Sequence, residues 1–181
     1  GRKVLSIRGN HDFSINVNGS QDTESEAIYL PSTVVRNIIM SDINAVTNDA
    51  DDKACYYYID HPAERVRYIY LDTTDSDTGA NNSMMPQITA VQFEWIVSQA
   101  IMTTPSDYNI VIVSHQYLQR YLGTNYSYSN YPRFSDMRKV LAAVQSKESV
   151  TVGGVTYDFT TFSPNILCHI SGHVHRDNAV Y

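Results

Sequence analysis

Two cysteines, one tryptophan and no long apolar run are what this sequence has least of. Two thiols are too few for a disulfide framework. Cys55 and Cys168 could make at most one bridge, which leaves the redox compartment open. Each lies in an apolar, β-like run, where a small buried thiol is the expected state. No stretch approaches the roughly 20 apolar residues of a membrane-spanning helix, so no membrane partner is expected. Basic residues are also in the minority, 13 against 19 acidic, for a net charge of −6. A chain with that balance lacks the electrostatic footprint of a general nucleic-acid binder. A local site could still accept phosphate, because a metal ion can supply the positive charge that side chains do not.

What is present suits one layered domain. The chain has 181 residues, 43% of them hydrophobic and 18% charged, enough for a core. Residues 3–8 alternate like a strand and end at Gly9-Asn10, and 14–30 reads as loop. Helical patterns are expected from Pro31 onward, with Val34, Val35, Ile38 and Ile39 on one face, over 89–102 with Thr89 as N-cap, and over 134–146. The second of these is expected to bury Val91, Phe93, Trp95, Ile96, Val97 and Ile101. Strands are expected over 54–60, 66–71, 109–114 and 166–171, with a hairpin over 150–159 around Gly153-Gly154. Strands interleaved with helices indicate an α/β fold.

Three clusters of possible metal ligands each follow an expected strand: Gly9-Asn10-His11-Asp12, Ser114-His115 and Gly172-His173-Val174-His175. Sites in α/β sheets gather where strands deliver residues at their carboxyl ends, so the three could converge. Neutral imidazoles suit Zn, Fe and Mn, and an Asn oxygen is a hard ligand that adds no charge. A glycine before the first and third clusters permits a tight turn. The other histidines read more plainly: His61 belongs to an exposed turn beside Pro62, and His169 packs within the last strand.

In that order these motifs resemble the later motifs of the calcineurin-like metallophosphoesterases. Tyr68-Ile69-Tyr70-Leu71-Asp72-Thr73 is similar to that family's strand ending in Leu-Asp-Thr. The resemblance runs from near the first residue to near the last and makes 1–181 a partial calcineurin-like phosphoesterase domain. It implies a four-layer α/β/β/α sandwich with two divalent or trivalent ions, Mn, Fe or Zn, at one edge. By similarity, Asn10, His115 and His173 would hold one ion and His175 would belong to the other. His11 would face the phosphoryl group and protonate the leaving oxygen, while Asp12 would support the turn and orient its neighbours. The implied activity is metal-assisted hydrolysis of a phosphorylated small molecule or a phosphodiester.

The sequence departs from the family at two points. The family's earlier motifs, Asp-x-His and Gly-Asp, occur nowhere in the chain. One ion therefore keeps three neutral ligands and lacks its bridging carboxylate, and the other keeps His175 alone. Three explanations fit: the chain is the later part of a longer domain, it pairs with the missing part as a partner, or it no longer catalyses. The first is favoured, since the chain enters its first strand abruptly. A non-catalytic binding or assembly module on this scaffold is the competing reading, and a nuclease is disfavoured by the charge.

Substrate contacts are less determined. Tyr126 and Tyr128, among 14 tyrosines, fall in a segment that follows His115. They could stack on a base, a sugar or an aryl phosphate, or pack a surface loop. Arg176 abuts His175 and is the best candidate phosphate contact, ahead of Arg120 and Arg133.

Overall fold

The computed structural model describes residues 5–9, 14–16, 27–29, 32–40, 45–51, 54–75, 87–118, 131 and 133–172. Nine strands, three α-helices and one π-helical segment are assigned among them, and the fold is mixed α/β. β1 (Ser14–Asn16) and β2 (Ala27–Tyr29) pair antiparallel. α1 spans Ser32–Met40. The central sheet has five strands in the order β3-β4-β5-β6-β9. They are β3 (Val46–Thr47), β4 (Tyr57–His61), β5 (Val66–Leu71), β6 (Asn109–Ser114) and β9 (Ile166–Ser171). β3, β4 and β5 run antiparallel, while β5, β6 and β9 run parallel. The parallel neighbours require crossovers, and α2 (Ala90–Trp95) and α3 (Phe134–Ser146) provide them. β7 (Ser149–Val152) and β8 (Val155–Asp158) form the expected hairpin, with both turn glycines at positive φ, 58° at Gly153 and 83° at Gly154. Glycine meets that backbone demand at no steric cost. Among the described residues no helix is long and apolar enough to cross a membrane.

The two faces of the sheet differ. Tyr58, Ile69, Ile112 and His169 stand in one row, and Asp60, Arg67 and Ile110 in the next. This face meets the helices. Ile69, Leu71, Ile110 and Ile112 are buried with Phe93, Ile96, Val97 and Ile101 from the first crossover and Phe134, Met137, Val140 and Val144 from the second. The charge on this face is neutralised. Arg67 makes a two-pronged ion pair with Asp60 (2.7 and 2.8 Å), donates to the Ala100 carbonyl at 2.9 Å and stacks on Tyr58. The opposite face, by strand alternation, carries Tyr57, Ile59, Tyr68, Tyr70, Val111, Val113, Cys168 and Ile170, with no charged residue. None of these belongs to the helix-side core. Burial on it fades from Tyr57, fully enclosed, to Ile170 at 53% exposed.

Several expectations are corrected here. Residues 5–8 are in no strand; the Tyr57 hydroxyl, donating to the Ser6 carbonyl, holds the segment instead of a ladder. The region read as loop over 14–30 contains β1 and β2. Residues 54–56 precede β4 rather than belonging to it. Cys168 is exposed and both thiols are free, although Cys55 is buried as expected. Val91 is 56% exposed, because the buried stripe runs through 93, 96, 97, 100 and 101, off its side of the helix. The helix also widens into a π-helical segment over Ile96–Ile101, ended by Thr104 donating to the Ile101 carbonyl. Thr89 caps α2 as expected, accepting from the Gln92 N–H at 3.1 Å.

The asymmetry between the faces sets a stability test. Ile112→Ala opens a cavity in the helix-side core and is expected to cost about 2–5 kcal/mol in urea unfolding. Ile170→Ala, at the penultimate residue of β9, is expected to cost less than about 1 kcal/mol. Equal losses would contradict the assignment of the core to the helix side.

Candidate functional site

The site is built by strand register. Leu71 of β5 lies opposite Ser114 of β6, and Ser114 opposite Ser171 of β9. Three parallel strands thus end in one row, and Asp72-Thr73, His115-Gln116 and Gly172 emerge side by side. The Gly172 N–H donates to the His115 carbonyl at 3.1 Å, continuing the ladder past the strand ends. Gln116 and Thr73 join the other pair: the Thr73 hydroxyl donates to the Gln116 side-chain oxygen and accepts from the Gln116 N–H at 3.1 Å.

A fourth segment reaches the same place. A methyl group added to Gly9 would lie 3.1 Å from His115 Cε1, 3.2 Å from Nδ1 and 3.3 Å from Nε2. One added to Gly172 would lie 3.7 Å from His115 Nδ1. The nitrogen-bearing edge of the imidazole is therefore cradled by two glycines. Gly9 leaves no room for a side chain, and Gly172 leaves just enough. In sequence, the next residues are Asn10 and His173.

Behind this cradle lies a buried polar network. Arg8 grips Asp72 with two prongs, Nη2 to Oδ2 at 2.6 Å and Nε to Oδ1 at 3.1 Å, with both side chains almost fully buried. Arg8 Nε also reaches Thr74 Oγ1 at 3.0 Å. The Thr74 N–H and hydroxyl both donate to Asp72 Oδ1. Gln92 of α2 pins the backbone of Asp72 from the other side, accepting from its N–H at 2.9 Å and donating to its carbonyl at 2.8 Å. Asp75 accepts from the Thr89 hydroxyl at 2.6 Å and from Gln92 Nε2 at 3.2 Å. Burial, and then the neighbouring Asp72 carboxylate, push Asp75 up to about 6.

His169 sits on the helix-side face of β9. Its Nε2 is 2.6 Å from the Ser114 hydroxyl, which itself donates to the Gln116 carbonyl. Tyr117 stacks on the ring at 5.0 Å. Burial pushes His169 down to about 4, so the ring stays neutral. Its role is packing, as the sequence indicates.

Of the residues singled out in the sequence, His115 lies within this description, half-buried between the two glycines. Asn10, His11, Asp12, His173, His175, Arg176, Arg120, Tyr126 and Tyr128 lie outside the described residues. Arg133 precedes α3 with φ 60° and donates to the Ile88 carbonyl at 3.1 Å. His61 is exposed and pairs with Glu64 at 3.3 Å. Among the described residues no group of three or more His, Cys, Asp and Glu side chains could hold a metal ion. Sequence reading did not find the roles of Arg8, Thr74, Asp75, Gln92 and Gln116. An arginine closing an apolar run is the one available signal, and Asp72 enters the sequence reading only as part of the Leu71-Asp72-Thr73 strand end. A groove of about 520 Å³ lined by Asn48, Val91, Glu94 and Trp95 shares no residue with this site. Set against protein-family models, curated proteins and solved structures, the chain matches none.

Two tests follow from the cradle and the buried groups. Gly9→Ala is expected to displace the His115 ring by a few tenths of an ångström and to shift its imidazole nitrogen NMR signals, whereas Gly172→Ala leaves them nearly in place. Similar shifts from both would contradict the close approach of Gly9. The titrations oppose each other. His169, low in the folded state, contributes stability that is full above its unfolded value near 6.5 and is lost as pH falls toward 4. Asp75, high in the folded state, costs stability above pH 6 and regains it as pH falls toward 3.8. Each effect is on the order of 2–3 kcal/mol. His169→Gln should therefore unfold at a higher urea concentration at pH 4.5 than at 6.5, unlike the parent. An unchanged pH slope would rule out a neutral, buried His169.

Proposed function

We propose that this chain carries the later ligand set of a dinuclear metal-dependent phosphoesterase of the calcineurin-like kind. The single observation that supports this reading is the meeting of Gly9, His115 and Gly172. Gly9 and Gly172, the glycines that open two of the motifs, meet the histidine of the third, and the lack of a side chain at Gly9 is what lets the backbone come so close to the imidazole. A glycine cradle beside an imidazole suits a borderline metal such as Zn, Fe or Mn.

On this reading Asn10, His115 and His173 hold one ion and His175 belongs to the other. When bound, such ions polarise a phosphoryl group and lower the pKa of water. His11 supplies the proton for the departing oxygen, a role worth on the order of 100-fold or more in rate. Asp12 orients the turn that carries it, and Arg176 contacts the phosphate. Tyr126 and Tyr128 follow His115 in sequence and are the candidates for stacking on an aromatic or sugar leaving group.

The four-layer sandwich is part of the same proposal. A sheet with helices on one face and a charge-free, half-open face on the other suits burial beneath a second sheet. The missing Asp-x-His and Gly-Asp motifs favour a second reading, a binding or assembly module on this scaffold. Five potential ligand or acid groups kept together, Asn10, His11, His115, His173 and His175, weigh against a retired site.

The ligand count makes the reading testable. Elemental analysis of the 181-residue chain is expected to find at most one weakly held ion, removed by His115→Ala and by His173→Ala but not by His61→Ala. Hydrolysis of bis-p-nitrophenyl phosphate by this chain should be negligible without the two carboxylate motifs. An ion that survives His115→Ala would refute the assignment, and two tightly held ions with robust hydrolysis would refute the ligand count.

A further inference from the structure

We infer that Asp72 is a positioning residue for His115, acting through Arg8. The pair touches at two points, a hydrogen bond from Nε to Oδ1 and an ion-pair contact of Nη2 with Oδ2, and contact at two points fixes direction as well as distance. Asp72 cannot shift, because Gln92 holds both of its backbone groups and Thr74 holds its carboxylate. Arg8 is therefore anchored to the frame of the sheet and α2. Gly9, the next residue, is pressed on the nitrogen-bearing edge of His115. The residues after Asp72 hold the same histidine's neighbour, since Thr73 is bonded to Gln116. One short segment, Asp72-Thr73-Thr74, thus sets both what stands behind His115 and what stands in front of it.

The consequence is a division of labour. Release of Arg8 leaves the sheet and its register intact, because residues 5–9 make no ladder. It removes one of the holds on the segment that brings Gly9 against the imidazole, so the aspect of the ring changes. For metal binding this inference rests on the reading of His115 as a ligand; its structural half does not. Groups that orient a ligand without touching the metal commonly change affinity by about 10- to 100-fold.

The test uses the full chain with two readouts, the His115 imidazole nitrogen signals by NMR and Zn²⁺ affinity by titration. Asp72→Asn is expected to shift the His115 signals and weaken Zn²⁺ binding about 10-fold. Arg8→Lys keeps the charge but loses the two-point contact, and should move both readouts in the same direction by less. It also carries the test should Asp72→Asn fail to fold. The double variant Arg8→Gln with Asp72→Asn removes the unpaired buried charge, so its urea midpoint should recover toward the parent value. Its His115 signals and affinity should not recover. Recovery of all three together, or unchanged His115 signals in Asp72→Asn and Arg8→Lys, would reduce the pair to a structural role and overturn the inference. A parent chain that binds no Zn²⁺ would instead defeat the metal reading, and the NMR signals would then decide the positioning claim alone.

Discussion

The register of three parallel strands is the constraint on which the rest depends. With Leu71, Ser114 and Ser171 in one row, the residues that follow have no choice but to emerge together. Parallel neighbours demand crossovers, and the crossover helices fill one face of the sheet with core. A one-residue slip would turn every side chain to the other face, putting Tyr68 and Val111 under the helices and Arg67 away from Asp60. The hydrophobic rows and the Arg67–Asp60 pair therefore lock the same register that assembles the site.

The Arg8–Asp72 pair adds a segment that the sheet does not hold. A buried ion pair is poor evidence for stability in itself, since desolvation offsets much of its attraction. Here the pair is embedded in further hydrogen bonds, although the Gln116 side-chain nitrogen close by is buried without a partner. Thr74 shares the Asp72 oxygen, and Gln92 closes the backbone on the other side. A polar network of this sort fixes geometry even where it adds little net energy. Burial raises Asp75 within this network and, at a separate place on β9, keeps His169 neutral, so the two groups respond to acid in opposing ways.

Much of the fold was legible because its signals are local. The apolar run Ile110-Val111-Ile112-Val113, the Gly153-Gly154 turn, the Thr89 cap and the stripe of α3 each act within a few residues. The errors have equally physical causes. β1 and β2 are three residues each, too short for periodicity to register. Residues 5–8 alternate like a strand but are held by a tyrosine hydroxyl and an arginine rather than by a ladder. Val91 matched a helical face by type and missed it by angle. In the site, the convergence of Gly9, His115 and Gly172 could be suspected from motif order alone. The Arg8–Asp72 contact could not, because its partners lie 64 residues apart and nothing in composition links them.

The central claim is that His115 and its two glycines form one side of a metal-binding centre for phosphate chemistry. Anomalous diffraction from crystals of this chain grown with Zn²⁺ tests it most directly. The account predicts a single anomalous peak about 2.0–2.1 Å from an imidazole nitrogen of His115, on the side bounded by Gly9 and Gly172. A peak elsewhere, such as between His61 and Glu64, with none at His115, would contradict it.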